Sequence, residues 1–453
     1  MKQTRPYPVY TVTKKAENSI LSGHPWVYAD ELTGQPENMP ENGALVDVVS
    51  GKGRYLGTGF LSWESKIRIR LISRNANDSF DEAFWRRRFE YAWAYRKTVM
   101  GEEDLSCCRV IFGEADQMPG LTVDRFGDIL VTQTLSYGME IRKAQLFPLL
   151  VDVLRADGQI ISGIYERNDV ALRAREGLFE NKGWFELHGE DHPASTTTEI
   201  CENGVRYAVD FENGQKTGFF LDQKYNRRQV AKLARGKRVL DCFTHTGSFA
   251  LNAAFGGAEH VTAVDVSQSA VDMAHANAVR NDLDDRMDFV CTDVFDLLPS
   301  LEGTHNYDFI ILDPPAFTKA RKTASNAMRG YKEINYRAMK LLPTLEGTHN
   351  YDFIILDPPA FTKARKTAAN AMRGYKEINY RAMKLLPRGG YLATASCSHF
   401  ATEEMFVKML KSAAADAGRQ LRQIEVRQQA PDHPILWNVE ETNYLKFFLF
   451  QVI

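Results

Sequence analysis

Eleven residues, YDFIILDPPAF, occur twice in this chain, at Tyr307–Phe317 and Tyr351–Phe361. They lie inside a tandem repeat that aligns Leu297–Pro343 with Leu341–Pro387, and only two of its 47 positions differ, Ser300/Thr344 and Ser325/Ala369. A run of β-branched and aromatic residues closed by Asp-Pro-Pro predicts a buried strand that stops in a rigid loop, because proline cannot continue the ladder. An acid at the carboxyl end of such a strand stands where open α/β sheets bind ligands. The repeat thus offers two candidates for one position: Asp313 with Pro314, and Asp357 with Pro358. If both strands enter the sheet, everything beyond them shifts by one strand spacing, about 4.8 Å. If one copy is extruded, loop closure costs only ~1 kcal/mol or less, but an apolar strand is left exposed to aggregation.

Around this repeat, 453 residues predict two or three domains, each able to bury its own core. A chain 44% hydrophobic and 25% charged is globular, neither disordered nor fibrous. Its net charge of −2 excludes attraction of the whole molecule to nucleic acid, so any such binding rests on local basic patches. No apolar run reaches the roughly 18 residues that cross a bilayer, and MKQTRPYPVY lacks a signal core. A cytoplasmic protein without a membrane partner is expected. The six cysteines form no CxxC pair and no cluster with zinc spacing, so neither a metal site nor a disulfide framework is predicted.

Along the chain, residues 1–75 alternate short apolar runs with glycine turns and predict a small β-barrel. They hold 10 Lys/Arg against 7 Asp/Glu, with Trp26 and Tyr28 in KKAENSILSGHPWVYADEL. Those rings suit either stacking on RNA bases or simple core packing. Residues 76–195 open with a helix, DEAFWRRRFEYAWAYRK, whose Phe84, Trp85, Phe89 and Trp93 recur at helical spacing, and continue as a small α+β insert domain. From residue 196 to 453, and regularly from Lys237, strand and helix alternate: KRVLDCF, HVTAVDV, MDFVCTD, YDFIILD, a helix around Asn335, and GYLATASCS. This predicts a Rossmann-like α/β domain, a parallel sheet with helices on both faces.

Three acids end successive strands of that domain: Asp241, Asp265 and Asp293. VLDCFTHTGSFALNAA lacks the three-glycine dinucleotide fingerprint, and Gly247 alone allows close backbone approach where its helix begins. Asp265 is placed to accept the ribose hydroxyls of an adenosine, and Asp293 a hydrogen bond from the adenine amine, although an acid at a strand end also serves as a helix cap. Together they point to an adenosine-containing cofactor.

The chain resembles the bacterial large-subunit ribosomal RNA cytosine-C5 methyltransferases, of the class I S-adenosylmethionine-dependent type. The resemblance is carried by GHPWVY (Gly23–Tyr28), GEADQMPGLTVDRFGD (Gly113–Asp128), QKTGFFLDQKYNRR (Gln215–Arg228), DCFTHTGSF (Asp241–Phe249), LDPPAF, RGYKEIN and ASCS (Ala395–Ser398). It implies a PUA-like RNA-binding domain, a central α+β domain and a carboxyl-terminal methyltransferase domain with a single DPP segment. It also implies an S-adenosyl-L-methionine site that includes Gln223, Asp241, Phe243, Thr244, Gly247, Asp265, Asp293 and the proline after the catalytic acid, Pro314 or Pro358. Large-subunit ribosomal RNA is the expected partner, and an oligomer is compatible with it.

Cytosine C5 is a poor nucleophile, so its methylation calls for a thiolate that adds to C6. Cys397, ending the strand GYLATASCS on the same sheet edge as the DPP loop, is the cysteine placed to do this; Cys242 reads as packing. Asp357 or Asp313 would stabilise charge in the ring, with the second copy favoured because it leads directly into the Cys397 strand. The target base must be flipped out or single-stranded. Lys319, Arg321, Lys322, Arg329 and Lys332, with their copies Lys363, Arg365, Lys366, Arg373 and Lys376, would supply phosphate contacts. Two other readings stand beside this one: an RNA guanine or adenine N-methyltransferase, which needs no thiolate, and an RNA-binding protein whose catalysis the duplication has impaired.

Overall fold

A computed structural model describes residues 5–187, 189–301, 306–314, 353–358, 360–361 and 368–453. The chain forms two compact units, one of residues 1–202, 208–222 and 430–442, the other of residues 203–207, 223–429 and 443–453.

The first unit holds two sheets. Strands β1 (Val9–Val12), β2 (Trp26–Tyr28), β3 (Leu32–Gly34), β4 (Leu45–Ser50), β5 (Tyr55–Leu61) and β6 (Ile67–Ser73) pair in the order β2-β6-β5-β4-β1-β3. Tyr10, Ile20, Val27, Val46, Val48, Leu61 and Ile69 meet in one buried cluster. Trp26 and Tyr28 are half-buried, and the Trp26 indole donates to Glu114 at 2.9 Å. Strands β7 (Cys107–Phe112), β8 (Leu121–Phe126), β9 (Ile129–Thr134), β10 (Gly163–Arg167) and β11 (Lys182–Phe185) make a five-stranded sheet in reverse chain order. The helix Glu82–Val99 buries Phe84, Trp85, Phe89 and Trp93, as its spacing predicts, and also Arg96. That guanidinium donates to both oxygens of Asp116, at 2.5 and 2.8 Å, and to the Asp432 carbonyl at 2.9 Å. A strand Thr197–Glu202 (β12) and a strand Val205–Asp210 (β13) follow.

The second unit is an eight-stranded sheet in the order β16-β15-β14-β17-β18-β19-β21-β20. Its strands are β14 (Arg238–Cys242), β15 (His260–Asp265), β16 (Met287–Cys291), β17 (Phe309–Leu312), β18 (Phe353–Leu356), β19 (Tyr391–Ser396), β20 (Leu421–Arg427) and β21 (Lys446–Val452). The first six are parallel, and β21 runs antiparallel to both β19 and β20. Placing β14 next to β15 on one side and β17 on the other makes its carboxyl end the topological switch point, where such sheets bind ligands.

Both copies of the repeated strand enter this sheet. β17 and β18 pair in parallel with like opposite like: Phe309 with Phe353, Ile310 with Ile354, Ile311 with Ile355 and Leu312 with Leu356. Relative exposure is 0–1% along β17 and 0–2% along β18, so neither copy is extruded. A continuous apolar run suits this position because an inner parallel strand is covered on both faces. One face carries Ile310, Leu312, Ile354 and Leu356 into a core shared with Tyr375, Ile378, Met383, Phe406 and Leu410, from the helices Ala368–Leu385 and Glu403–Ala417. The predicted helix around Asn335 lies outside the described residues.

Because Ile311 and Ile355 are each 0% exposed, Ile311→Ala and Ile355→Ala should each destabilise this unit by about 2–5 kcal/mol. Chemical denaturation followed in this unit checks it. A near-neutral effect at either position would mean that that copy stands outside the sheet.

Candidate active site

At the end of β14 the chain must turn sharply into the helix Ser248–Phe255, and it does so through three left-handed residues: Phe243 (φ 67°), His245 (φ 50°) and Gly247 (φ 82°). Asp241 anchors the loop from beneath. It is 2% exposed, and one of its oxygens accepts from the Thr244 hydroxyl at 2.8 Å and the Ala250 amide at 3.1 Å. Burial pushes the Asp241 carboxyl up to about 7, those two hydrogen bonds oppose the rise, and the Asp265 charge adds to it. On the neighbouring strand, Asp265 accepts the His245 amide on one oxygen and the Ser267 amide on the other, each at 3.0 Å. A carboxylate oxygen has a second acceptor site, so Asp265 can still take two hydroxyls. Beside it Val266 is 68% exposed, an apolar surface next to an acid at the switch point. Asp293 is exposed and caps the helix Val294–Ser300 by accepting the Phe295 amide at 2.8 Å.

Two strands further along the sheet, the duplicated acids are in different environments. Asp313 ends β17, beside β14, and is exposed; Asp357 ends β18, beside β19, and is buried. The Gln223 amide donates to Asp357 at 2.5 Å, and Gln223 in turn accepts from the Asn226 amide at 2.5 Å. Pro314 and Pro358 are both buried. Across from Asp357, β19 ends in Ser396 and delivers the half-buried Cys397. Tyr375, fully buried, accepts from the Ser396 hydroxyl at 3.0 Å. Its phenol is raised by burial and then by negative charge on Cys397 and, more weakly, on Asp357, so this one ring lies within electrostatic reach of both. Cys242 is wholly buried and its thiol is raised by that burial, as suits a packing residue.

Asp357 and Cys397 thus lie on adjacent strand ends, with Gln223 on the acid. Phe243, Thr244 and Gly247 form the loop on β14, flanked by Asp241 and Asp265. Among the proposed phosphate contacts, Lys376 pairs with Asp416 at 2.6 Å and Arg373 donates to Asn370. Lys319, Arg321, Lys322, Arg329, Lys332, Lys363, Arg365 and Lys366 lie outside the described residues. Sequence reasoning missed Lys446. It begins β21 opposite Ser396, is 2% exposed, and donates to the Ser398 carbonyl at 2.9 Å. Burial lowers its ammonium to about 8, opposed by charge on Cys397 and Glu403. The only hint is a single cation opening the largely apolar strand KFFLFQV.

Residues 184–349 match the family described as S-adenosylmethionine-dependent methyltransferase, and residues 11–74 match the PUA-like domain. Over 449 residues, 99% of each chain, the sequence is 35% identical to ribosomal RNA large subunit methyltransferase I of Klebsiella pneumoniae. The chain belongs to that family. It is also 36% identical over 444 residues to the protein of the same name from Shigella dysenteriae, covering 98% of both. Among solved structures, a putative SAM-dependent methyltransferase from Streptococcus mutans superposes with a TM-score of 0.67 at 22% identity, over 98% of this chain and 99% of that one. That likeness establishes the fold: a Rossmann-like methyltransferase domain following a PUA-like domain.

The family's cofactor is S-adenosylmethionine, and the donor set fits it. Asp265 retains acceptor capacity of the kind a ribose needs, Val266 is an exposed apolar surface of the kind an adenine needs, and the left-handed loop turns backbone towards the switch point. Asp241 offers a check that needs no ligand. Its folded value of about 7 lies above the unfolded value of about 3.9. Between those limits the folded state binds the extra proton, so this carboxyl's contribution to stability falls as pH rises from about 4 to 7. Thermal unfolding of the wild type and of Asp241→Asn should therefore diverge over this range, the wild type losing more. Parallel profiles would contradict the assignment.

Proposed function

We propose that the protein transfers a methyl group from S-adenosylmethionine to C5 of a cytosine in large-subunit ribosomal RNA, through a covalent bond between Cys397 and the base. The observation that carries this reading is the placing of Asp357 and Cys397 on adjacent strand ends, with Tyr375 within reach of both charges. The family's name points to the ribosomal RNA substrate. In this reading residues 1–75 and 76–195 bind and orient the RNA, residues 196–453 carry the transfer, and the target base leaves its stack to reach the strand ends.

S-adenosylmethionine supplies an electrophilic methyl group on its sulfonium. The Cys397 thiolate adds to C6, forming an S–C6 bond and making C5 enamine-like. Asp357, held by Gln223, accepts from the exocyclic amine or donates to N3 and stabilises the charge developing in the ring. C5 would take the methyl group as the methyl–sulfonium bond breaks and its electron pair stays on sulfur, leaving a neutral thioether, and a base would then remove the C5 proton. The electrons of that C–H bond restore C5=C6, and the S–C6 bond breaks to return the thiolate. Thr244, Gly247 and Asp265 would hold the cofactor at the end of β14, with Asp293 near the adenine.

A second reading, in which transfer is impaired, draws on a specific observation. With both copies in the sheet, β17 and β18 separate β14 from β19. Cys397 then lies three strand spacings from the β14 loop, roughly 14 Å at about 4.8 Å each, where a single copy would leave two. A misplacement of about 1 Å already costs on the order of 100-fold in rate. On this second reading the chain carries the groups for the reaction at a separation that slows it.

Labelled-methyl transfer to ribosomal RNA lacking the modification distinguishes these readings. Cys397→Ala should abolish transfer, Asp357→Asn should lower it by about 100-fold, and Asp313→Asn should leave it nearly unchanged. RNA carrying 5-fluorocytosine at the target should trap a covalent complex with the wild type and none with Cys397→Ala. Undiminished methylation by Cys397→Ala would overturn the covalent route and favour N-methylation. Cofactor binding without transfer would favour the impaired protein.

A further inference from the structure

We infer that Lys446 is a positioning residue for the Cys397 nucleophile: its buried ammonium ties down the turn that presents the thiol and favours the thiolate by its charge. This rests on the reading of Cys397 given above and deepens it.

The geometry brackets the cysteine on both sides. Lys446 is the cross-strand partner of Ser396, the residue before Cys397, in the antiparallel pairing of β19 with β21. Its Nζ reaches past Cys397 and donates to the carbonyl of Ser398, the residue after it, at 2.9 Å. Further bonds run to the carbonyls of Tyr444, at 3.3 Å, and Asn443, at 3.5 Å. On the other side, the Ser396 hydroxyl donates to Tyr375. Cys397 is thus the half-buried member of a three-residue stretch whose two serines, 0% and 2% exposed, are both fastened.

A lysine is an expensive choice for this task. At 2% exposure its charge has lost most of its hydration, and carbonyl acceptors alone return only part of that cost. A neutral donor would hold the same carbonyls without the penalty. What the ammonium adds is a positive charge beside a group that must be an anion to react. Among the described residues, the groups whose charges act at this corner include Lys446 on β21, Tyr375 on the helix Ala368–Leu385, Glu403 on the helix Glu403–Ala417, and Asp357 at the end of β18, with His399 two residues beyond the cysteine. Glu403 and Asp357 are acids, which oppose a thiolate, while the Tyr375 phenol is kept neutral by its burial. Lys446 is the cation among them, and a cation at close range lowers a thiol's pKa.

The test is the pH profile of Cys397 alkylation by iodoacetamide in the full-length protein, read peptide by peptide with mass spectrometry. The exposed Cys201 and Cys291 serve as internal references. In the wild type, Cys397 should titrate below the ordinary thiol value of about 8.5. Lys446→Met should move its midpoint up by about one unit and slow alkylation at pH 7 by about 10-fold, while Lys446→Arg should hold it near the wild-type position. Purely structural anchoring would leave the midpoint where burial puts it. A wild-type midpoint at or above 8.5, or superimposable profiles for wild type and Lys446→Met, would overturn the inference. If Lys446→Met does not fold, the wild-type and Lys446→Arg profiles still decide. Methyl transfer that survives Cys397→Ala would defeat the nucleophile reading instead, whatever the thiol titration shows.

Discussion

The in-register pairing of Phe309–Leu312 with Phe353–Leu356 is the contact on which the second unit depends. Each strand is buried on both faces and bonded on both edges, so withdrawing either would open the middle of an eight-stranded sheet. Buried N–H and C=O groups would lose their partners, at a cost of about 1–3 kcal/mol each. Near identity of the copies makes the pairing self-consistent: each presents its isoleucine and leucine pattern to the same layers, and a slip by one residue would turn every side chain to the wrong face. Two copies of one good inner strand therefore fit where one would serve.

Everything at the carboxyl edge inherits that choice. The β14 loop and Asp265 lie on one side of the doubled strand; Cys397, Tyr375 and Lys446 lie on the other. The two acids between them differ in surroundings although their sequences do not. Asp357 borders the cysteine strand and is held by Gln223, whereas Asp313 borders β14 and is exposed. On the proposed reading the chemistry gathers around the second copy, and the first acts as a spacer.

Much of this was legible in the sequence, for physical reasons. A run such as FIILDPP predicts an inner strand with a hard stop, and regular alternation of strand and helix from Lys237 predicts the parallel sheet that β14 to β19 form. Asp241, Asp265 and Asp293 were read from strand ends, but sequence could not separate their roles. Asp241 braces the loop from below, and Asp293 caps a helix. The antiparallel strands β20 and β21 went unread because they follow the last βα unit and carry no turn signal tying them to it. Lys446 was invisible for the same reason, since a lysine at a strand start is ordinarily a solvated charge, and only pairing with Ser396 gives it a role. Whether both repeats entered the sheet was likewise undecidable from residues, because loop-closure entropy changes too slowly with length to forbid either arrangement.

Removing residues 297–340, which joins Asp296 to Leu341 and leaves one copy of the repeat, tests the spacing most directly. The shortened chain should bind S-adenosylmethionine as the full chain does and place Cys397 two strand spacings from the β14 loop. Its rate of labelled-methyl transfer to large-subunit ribosomal RNA should exceed that of the full chain by about 100-fold or more. Equal or lower transfer by the shortened chain, with cofactor binding intact, would contradict the account.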